Sequence, residues 1–190
     1  MRDELHRRIS FRAFKKYLND ELPVQNFKIS ELGDNGYVPS LPSSYIYILR
    51  LDEERHLEFS VRAIPNSNDR KKILYIGGTK KGDRCNLLIG HCRNFCGYYF
   101  ETGLALNDDG TSGRHPVASC LTTSLLSRGF TIKDCQLDIL PPGDDYHERE
   151  FLIGYQELFH HLPPWNAVRG GVLGYHQVAD ANQKDDTGAG

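Results

Sequence analysis

Hydrophobic and polar positions recur along this chain with two different periods, and the period predicts the type of element. Across residues 5–22, apolar side chains fall at mostly helical spacing with basic residues between them, which predicts one amphipathic helix that ends before Pro23. The runs YIYILRL at 45–51 and ILYI at 73–76 are short, aromatic and β-branched. They predict two buried strands separated by a long connection.

The rest of the pattern completes a small sheet with helices around it. Residues 56–64 alternate well enough to form a further strand inside the long connection. A helix is predicted after Arg84 and a second one over residues 116–127. Residues 135–140 alternate like a strand, and residues 145–162 carry an apolar stripe at helical spacing. The order strand, strand, helix, helix, strand, helix predicts an α+β (mixed α/β) fold.

Three segments are expected along the chain. Residues 1–40 contain the N-terminal helix and a connector with at most a short strand. Residues 41–175 form the single core domain, since 190 residues are too few for two full-sized cores. Residues 176–190 are polar and glycine-containing, and we expect a mobile tail because they bury little apolar surface.

Composition and charge restrict the kind of partner. Hydrophobic residues make up 39% and charged residues 25% of the chain, which is typical of a globular protein. The formal net charge of −2 provides no overall basic excess, so a nucleic-acid surface would have to be local. No apolar run approaches the roughly 20 residues of a membrane helix, which predicts a soluble, cytoplasmic protein with no membrane partner.

The cysteines favour a reducing compartment and an apolar core. The chain has five, an odd number, unlike the paired framework of a small secreted domain. The segment HCRNFC at 91–96 contains zinc-type ligands, but no C-x-x-C pair is present. We therefore expect buried core thiols rather than structural zinc.

Several side chains with useful chemistry fall on predictable faces. Strand alternation places Tyr45 and Tyr47 on one face of the first strand, and Tyr75 can share that surface. A phenol in a polar groove can position or deprotonate a water. Arg84 and His91, seven residues apart on a helix, lie in line and could neutralise a phosphate. The structural alternatives are ordinary aromatic strand residues, a surface arginine and a half-buried histidine.

The last predicted helix carries two candidate carboxylates. Glu148 lies three and four residues before Phe151 and Leu152, which places it on the apolar stripe facing the sheet. Glu150 is expected to project outward with Gly154. A carboxylate in the groove could bind Mg²⁺ with several of its waters. The alternative is that both acids serve the helix dipole alone.

Together these features resemble the GIY-YIG nuclease superfamily over about residues 41–166. LPSSYIYIL stands where that family has its GIY strand, LYIGGT reproduces the YIG strand, and Arg84 follows at the usual distance. A glutamate opening a helix, here Glu148, and an asparagine after a proline, here Asn166 in LPPWN, complete the resemblance. Tyr45 stands at the glycine of the GIY motif, which is a departure from the family.

The resemblance implies a metal-dependent DNA endonuclease, a compact, restriction-enzyme-like member of restriction, defence or mobile-element type. Glu148 would bind Mg²⁺ or Mn²⁺, Arg84 would contact the scissile phosphate, and Tyr47 and Tyr75 would surround the attacking water. Asn166 would hold this network in place, and His91 with a lysine from Lys80 or Lys81 would be supporting phosphate ligands. The residues assigned to contact nucleic acid are Lys80, Lys81, Arg84 and Arg93. The alternative is a catalytically inactive module that binds nucleic acid or protein. A monomer and a homodimer both stay open.

Overall fold

A computed structural model of the chain describes residues 2–33, 37–52, 69–79, 84–90, 92–93, 125–126, 129–142 and 146–166. The helices are α1 (Arg2–Leu18), α2 (84–90) and α3 (Glu148–Phe159). The strands are β1 (Gln25–Lys28), β2 (Tyr45–Leu51), β3 (Ile73–Thr79) and β4 (Cys135–Ile139). A short 3₁₀ helix at Ile29–Glu31 follows β1, and another at Ile132–Asp134 precedes β4. The predicted α+β class is confirmed.

The strands form one antiparallel sheet in the order β1-β4-β2-β3. All seven residues of β2 and all seven of β3 are buried, which agrees with their continuous apolar sequences. β3 extends beyond the predicted residues 73–76 to Thr79, through two glycines. Gln25–Lys28, which the sequence placed in the N-terminal connector, pairs with β4 as an edge strand of the same sheet.

Each face of the sheet supports its own apolar cluster. On one face Tyr45, Tyr47 and Tyr75 pack with residues of α2. On the opposite face the isoleucines of β2 and β3 pack against α1 and α3. This segregation follows from strand alternation, which sends tyrosine and isoleucine side chains of YIYI to opposite faces.

Helix α1 is anchored to the sheet through a buried carboxylate. Asp138 on β4 is 1% exposed and accepts from the Tyr17 hydroxyl at 2.7 Å and from Arg50 Nε at 2.8 Å. Asn26 also donates to Asp138. A buried charge requires partners of this kind, and here they come from α1, β1 and β2. The N-terminal helix is therefore tied to the same sheet as the rest of the described chain.

The face of α3 that was expected to point outward is covered by α1, so that expectation was wrong. Gly154 is buried, and a Cβ at this position would lie 2.9 Å from the Phe11 ring. Arg7 of α1 also forms an ion pair with Glu157. The hydrophobic pattern does not predict this contact, because helix-on-helix packing depends on where α1 is placed by its anchors in the sheet.

Both long helices are shorter than their hydrophobic patterns predicted. α1 ends at Leu18 rather than at residue 22, in a turn with Asp20 at φ 61°. α3 begins at Glu148, and His160 closes it in the left-handed region at φ 65° before the two prolines. The strand predicted at 56–64, the helix at 116–127 except for residues 125–126, and the tail at 176–190 lie outside the described residues. Among the helices that the structure describes, none is long and apolar enough to span a membrane.

Candidate active site

The second half of β3 allows side chains from other elements to approach its backbone closely on both faces of the sheet. Gly77 lies opposite Tyr47 in the β2–β3 register, and a Cβ at Gly77 would overlap the Tyr47 ring. A Cβ at Gly78 would lie 2.9 Å from Ile46 Cδ1 and 3.1 Å from Glu148 Cβ. The two glycines therefore admit a phenol ring on one face and a carboxylate on the other.

Glu148 contacts the sheet rather than capping its own helix. The backbone N–H of Gly78 donates to Glu148 Oε2 at 2.8 Å. Burial raises the pKa of this carboxyl above its usual range, while the Gly78 N–H and the positive charge of Arg84 act in the opposite direction. The dipole alternative does not account for a carboxylate that accepts from a neighbouring strand.

Tyr47 and Tyr75 lie on the same face, as strand alternation predicted, with ring centroids 6.0 Å apart. Burial raises the pKa of Tyr47 well above its usual value, and it raises the pKa of Tyr75 to about 12. Their mutual hydrogen bond raises the pKa of Tyr47 and lowers that of Tyr75, as expected when Tyr47 donates. Arg84 lowers the pKa of Tyr75 further. Tyr75 is thus the more readily ionised phenol of the pair.

Tyr45 occupies a neighbouring position on the same face. Its ring centroid is 6.0 Å from that of Tyr47, and its hydroxyl lies 3.2 Å from Cys85 Sγ on α2. This contact connects the first residue of β2 to the helix that begins with Arg84. The residue at the position of the family's glycine therefore packs between the tyrosines and α2.

Asn166 clamps the outer edge of β3. Its Oδ1 accepts from the Ile76 N–H at 2.8 Å, and its Nδ2 donates to the Ile76 carbonyl at 2.7 Å. The Trp165 N–H donates to the Leu74 carbonyl at 3.1 Å. With the Gly78–Glu148 bond, these contacts satisfy backbone groups on the side of β3 away from β2. Asn166 therefore fixes the main chain between Tyr75 and Gly77.

A pocket of about 360 Å³ lies where these elements meet. The residues that line it are Tyr45, Ile46, Gly78, Thr79, Arg84, Tyr146, His147, Glu148 and Arg149. His147 Nε2 lies 3.0 Å from Nδ1 of His6, which joins this wall of the pocket to α1. Sequence reasoning did not single out His147 or Arg149. An arginine in the first turn of a helix, where the dipole disfavours a cation, was the available signal.

The structure does not bring the predicted DNA-contacting residues that it describes, Arg84 and Arg93, together. Arg84 lines the pocket and acts electrostatically on both Glu148 and Tyr75. Arg93 instead donates to the carbonyls of Ile29, Leu32 and Gly33, after β1. Its placement gives no support to a DNA contact. His91, Lys80 and Lys81 lie outside the described residues.

The described residues offer few side chains that could bind a metal ion. Within the part of the chain that the structure describes, no group of three or more His, Cys, Asp or Glu side chains could hold a metal ion. Cys85, Cys92 and Cys135 are buried in the apolar cluster beside the sheet, while Cys96 and Cys120 lie outside the described residues.

Glu148 is the pocket's carboxylate. Its second oxygen, Oε1, has no hydrogen-bond partner among the described residues. One carboxylate beside room for waters and a phosphate fits Mg²⁺, which keeps most of its water ligands in proteins.

Comparison with known proteins adds no assignment to this geometry. No family model, no curated protein and no solved structure matches the chain. The functional interpretation therefore depends on the residues themselves and on how the fold arranges them.

Proposed function

We propose that this chain is a metal-dependent endonuclease of the GIY-YIG type, which hydrolyses DNA phosphodiester bonds in the cytoplasm. The observation that carries the proposal is that Arg84 of α2 and Glu148 of α3 line one pocket, where Glu148 accepts from the Gly78 N–H of β3. Arg84 of α2 lowers the pKa of both Tyr75 on β3 and Glu148 on α3, and Glu148 raises the pKa of Tyr75. Groups that are coupled in this way beside a pocket are typical of catalytic sites.

Each of these groups has a chemical role in phosphodiester hydrolysis. Arg84 begins α2 at the pocket and is suited to neutralise the charge that builds on the phosphate in the transition state. Tyr75 accepts the Tyr47 hydrogen bond and lies near a positive charge, so it is the better general base. Asn166 positions Tyr75 by fixing the next residue of β3.

The proposed reaction is one in-line substitution at phosphorus. The oxygen of a water forms a bond to the phosphorus atom, and its proton passes to the phenolate of Tyr75. The bond from phosphorus to the leaving sugar oxygen breaks, and that oxygen takes a proton from solvent. Because the pKa of Tyr75 is raised to about 12 in the protein alone, additional positive charge near the site is needed to generate the phenolate at neutral pH.

The residues at the pocket fit one divalent cation. Glu148 would hold it through the oxygen that does not accept from Gly78. A bound Mg²⁺ or Mn²⁺ supplies Lewis-acid stabilisation of the phosphate oxygens and lowers the pKa of nearby acids. Phosphate and water would complete its coordination, as is usual for Mg²⁺.

A plasmid-nicking assay with Mg²⁺ and with EDTA tests the proposal. Wild type is expected to nick or linearise supercoiled plasmid only with the metal. Arg84→Ala should lose about 10²–10³-fold in kcat, and Arg84→Lys should recover only part of it because lysine lacks the planar fork. Arg70→Ala is the matched control, since Arg70 is exposed and lies outside the residues that line the pocket.

Cleavage that survives in Arg84→Ala would remove Arg84 from the mechanism. DNA binding by wild type without cleavage in Mg²⁺ or Mn²⁺ would favour the alternative, a module that keeps the fold and binds nucleic acid. Folding of each variant is checked by its melting temperature, so that lost activity is not confused with lost structure. A restriction, defence or mobile-element role and a homodimer are compatible with this proposal.

A further inference from the structure

Arg149 is a cation at the pocket that the proposed chemistry does not use. It lines the pocket with Arg84 and Glu148, and it is exposed. Arg84 has Glu148 as an electrostatic partner, whereas Arg149 makes no ion pair or hydrogen bond with any residue in the described ranges. Among the described residues that line the pocket, two arginines stand beside one glutamate, in a chain whose net charge is −2.

The position of Arg149 is unfavourable for the helix itself. It lies in the first turn of α3, where the helix dipole favours acids and disfavours cations. Glu148 and Glu150 on either side follow that preference, and Arg149 does not. Arg149 also forms none of the helix-packing contacts that fix Phe151 or Gly154 in the core. Neither helix stability nor packing accounts for an arginine here.

Arg149 and Glu148 occupy different depths of the pocket. Glu148 reaches Gly78 at the floor, while the next residue along the helix is rotated by about 100° and remains in solvent at the rim. An anion that engages Arg84 beside Glu148 would leave Arg149 to a second anionic group at the same pocket. A nucleic-acid strand, which carries regularly repeated phosphates, supplies both.

We propose that Arg149 binds a phosphate that flanks the scissile one, and so sets the path of the DNA strand across the pocket. The inference rests on the proposed nuclease function and specifies a positioning residue for its substrate. Arg149 holds the strand through charge and guanidinium hydrogen bonds and does not act on the reacting phosphate. Its loss should weaken binding and leave the chemical step nearly unchanged.

The test separates binding from cutting. In a Glu148→Gln background, which is expected not to cut, the Kd for a DNA duplex is measured from 50 to 300 mM salt with and without Arg149→Ala. We expect the slope of log Kd against log salt to fall by the amount that corresponds to about one phosphate contact. Binding at low salt should be roughly 5–20-fold weaker. Arg149→Lys should retain most of the slope. Arg70→Ala in the same background should change neither quantity.

In the cutting enzyme, Arg149→Ala should raise KM with kcat within about twofold of wild type, the opposite of Arg84→Ala. Its melting temperature should equal or exceed that of wild type, because a cation leaves the first helical turn. An unchanged salt slope, or absence of DNA binding by the Glu148→Gln parent, would overturn the inference. A reduced slope for Arg149→Ala, together with a wild-type protein that never cuts, would sustain Arg149 as a phosphate-binding residue on the path of the DNA and reject only the nuclease proposal.

Discussion

The Gly78 N–H and the Glu148 carboxylate are joined by a 2.8 Å hydrogen bond between β3 and the start of α3. Residues 70 positions apart in the chain are thereby held together at the floor of the pocket. The bond depends on glycine, since a Cβ at Gly78 would lie 3.1 Å from Glu148 Cβ and 2.9 Å from Ile46 Cδ1. A backbone donor, rather than a second side chain, thus orients the proposed metal ligand.

Glu148→Gln should abolish Mg²⁺-dependent cleavage and raise stability at neutral pH. Burial raises the pKa of Glu148, so its charged form costs free energy in the folded state. Glutamine removes that cost and keeps an acceptor for Gly78. We expect the melting temperature to rise by roughly 2–4 °C at pH 7.5, measured by differential scanning calorimetry.

The pH dependence of the gain in stability of Glu148→Gln shows whether that gain comes from the buried charge of Glu148. Below the unfolded pKa of about 4.3, Glu148 is protonated in both states, so the advantage of glutamine should vanish near pH 4. Glu150→Gln is the matched control and should cut within about twofold of wild type. Loss of cutting in Glu150→Gln with normal cutting in Glu148→Gln would mean that Glu150, and not Glu148, is the metal ligand.

Gly77→Ala should destabilise the protein and impair cleavage, because the added methyl group would overlap the Tyr47 ring. Overpacking of a buried site costs about 1–3 kcal/mol, which denaturant unfolding can measure. Gly90→Ala is the control: no atom of the described residues lies within 4 Å of a Cβ there, and the residue is helical. It should stabilise by about 0.5–1 kcal/mol. Equal effects at both glycines would mean that Tyr47 does not restrict Gly77.

Asn166→Ala should cost about 2–4 kcal/mol of unfolding free energy, since it leaves the Ile76 N–H and carbonyl without their buried partner. We also expect kcat to fall by more than tenfold in assays kept well below the melting temperature. Asn86 makes the same two-bond clamp on the Val38 backbone, away from β3. Asn86→Ala should lose stability but much less activity. A parallel loss of activity in both variants would reduce Asn166 to a purely structural residue.

The cleavage rate should depend on pH through two groups. Metal binding needs the Glu148 carboxylate, and its raised pKa moves the loss of activity on acidification to higher pH than for an ordinary glutamate. Above that limb, kcat/KM should rise about tenfold per pH unit up to the pKa that Tyr75 has with the metal bound, which lies below the value of about 12 in the protein alone. Tyr75→Phe should lose this rise, while Tyr37→Phe, an exposed tyrosine, should keep it. A rise that persists unchanged in Tyr75→Phe would exclude Tyr75 as the base.

Structural zinc is not expected. The purified protein should contain less than about 0.1 zinc per chain and keep its melting temperature in EDTA, because structural zinc would contribute directly to folding. Elemental analysis and calorimetry with and without EDTA measure both quantities. One zinc per chain would instead indicate that cysteines beyond the described residues form a metal site, and would favour the interaction-module interpretation.

Local sequence determined the elements and the faces of their side chains. YIYILRL and ILYI predicted β2 and the first half of β3, because short β-branched and aromatic runs have few other stable conformations. Alternation placed Tyr47 and Tyr75 on one face, and helical spacing directed Glu148 toward the sheet. These properties depend on interactions within a few residues of the chain, so the periodic pattern of the sequence is enough to predict them.

The tertiary structure decided everything that requires distant segments to meet. Only the fold shows that α1 covers the outer face of α3, that β1 joins β4, and that Arg93 is directed at backbone carbonyls. Likewise, the choice of Tyr75 over Tyr47 as the proposed base depends on a hydrogen bond between them and on Arg84 on another element. Packing, burial and electrostatic coupling depend on three-dimensional distance, and the spacing of residues along a chain does not contain that distance.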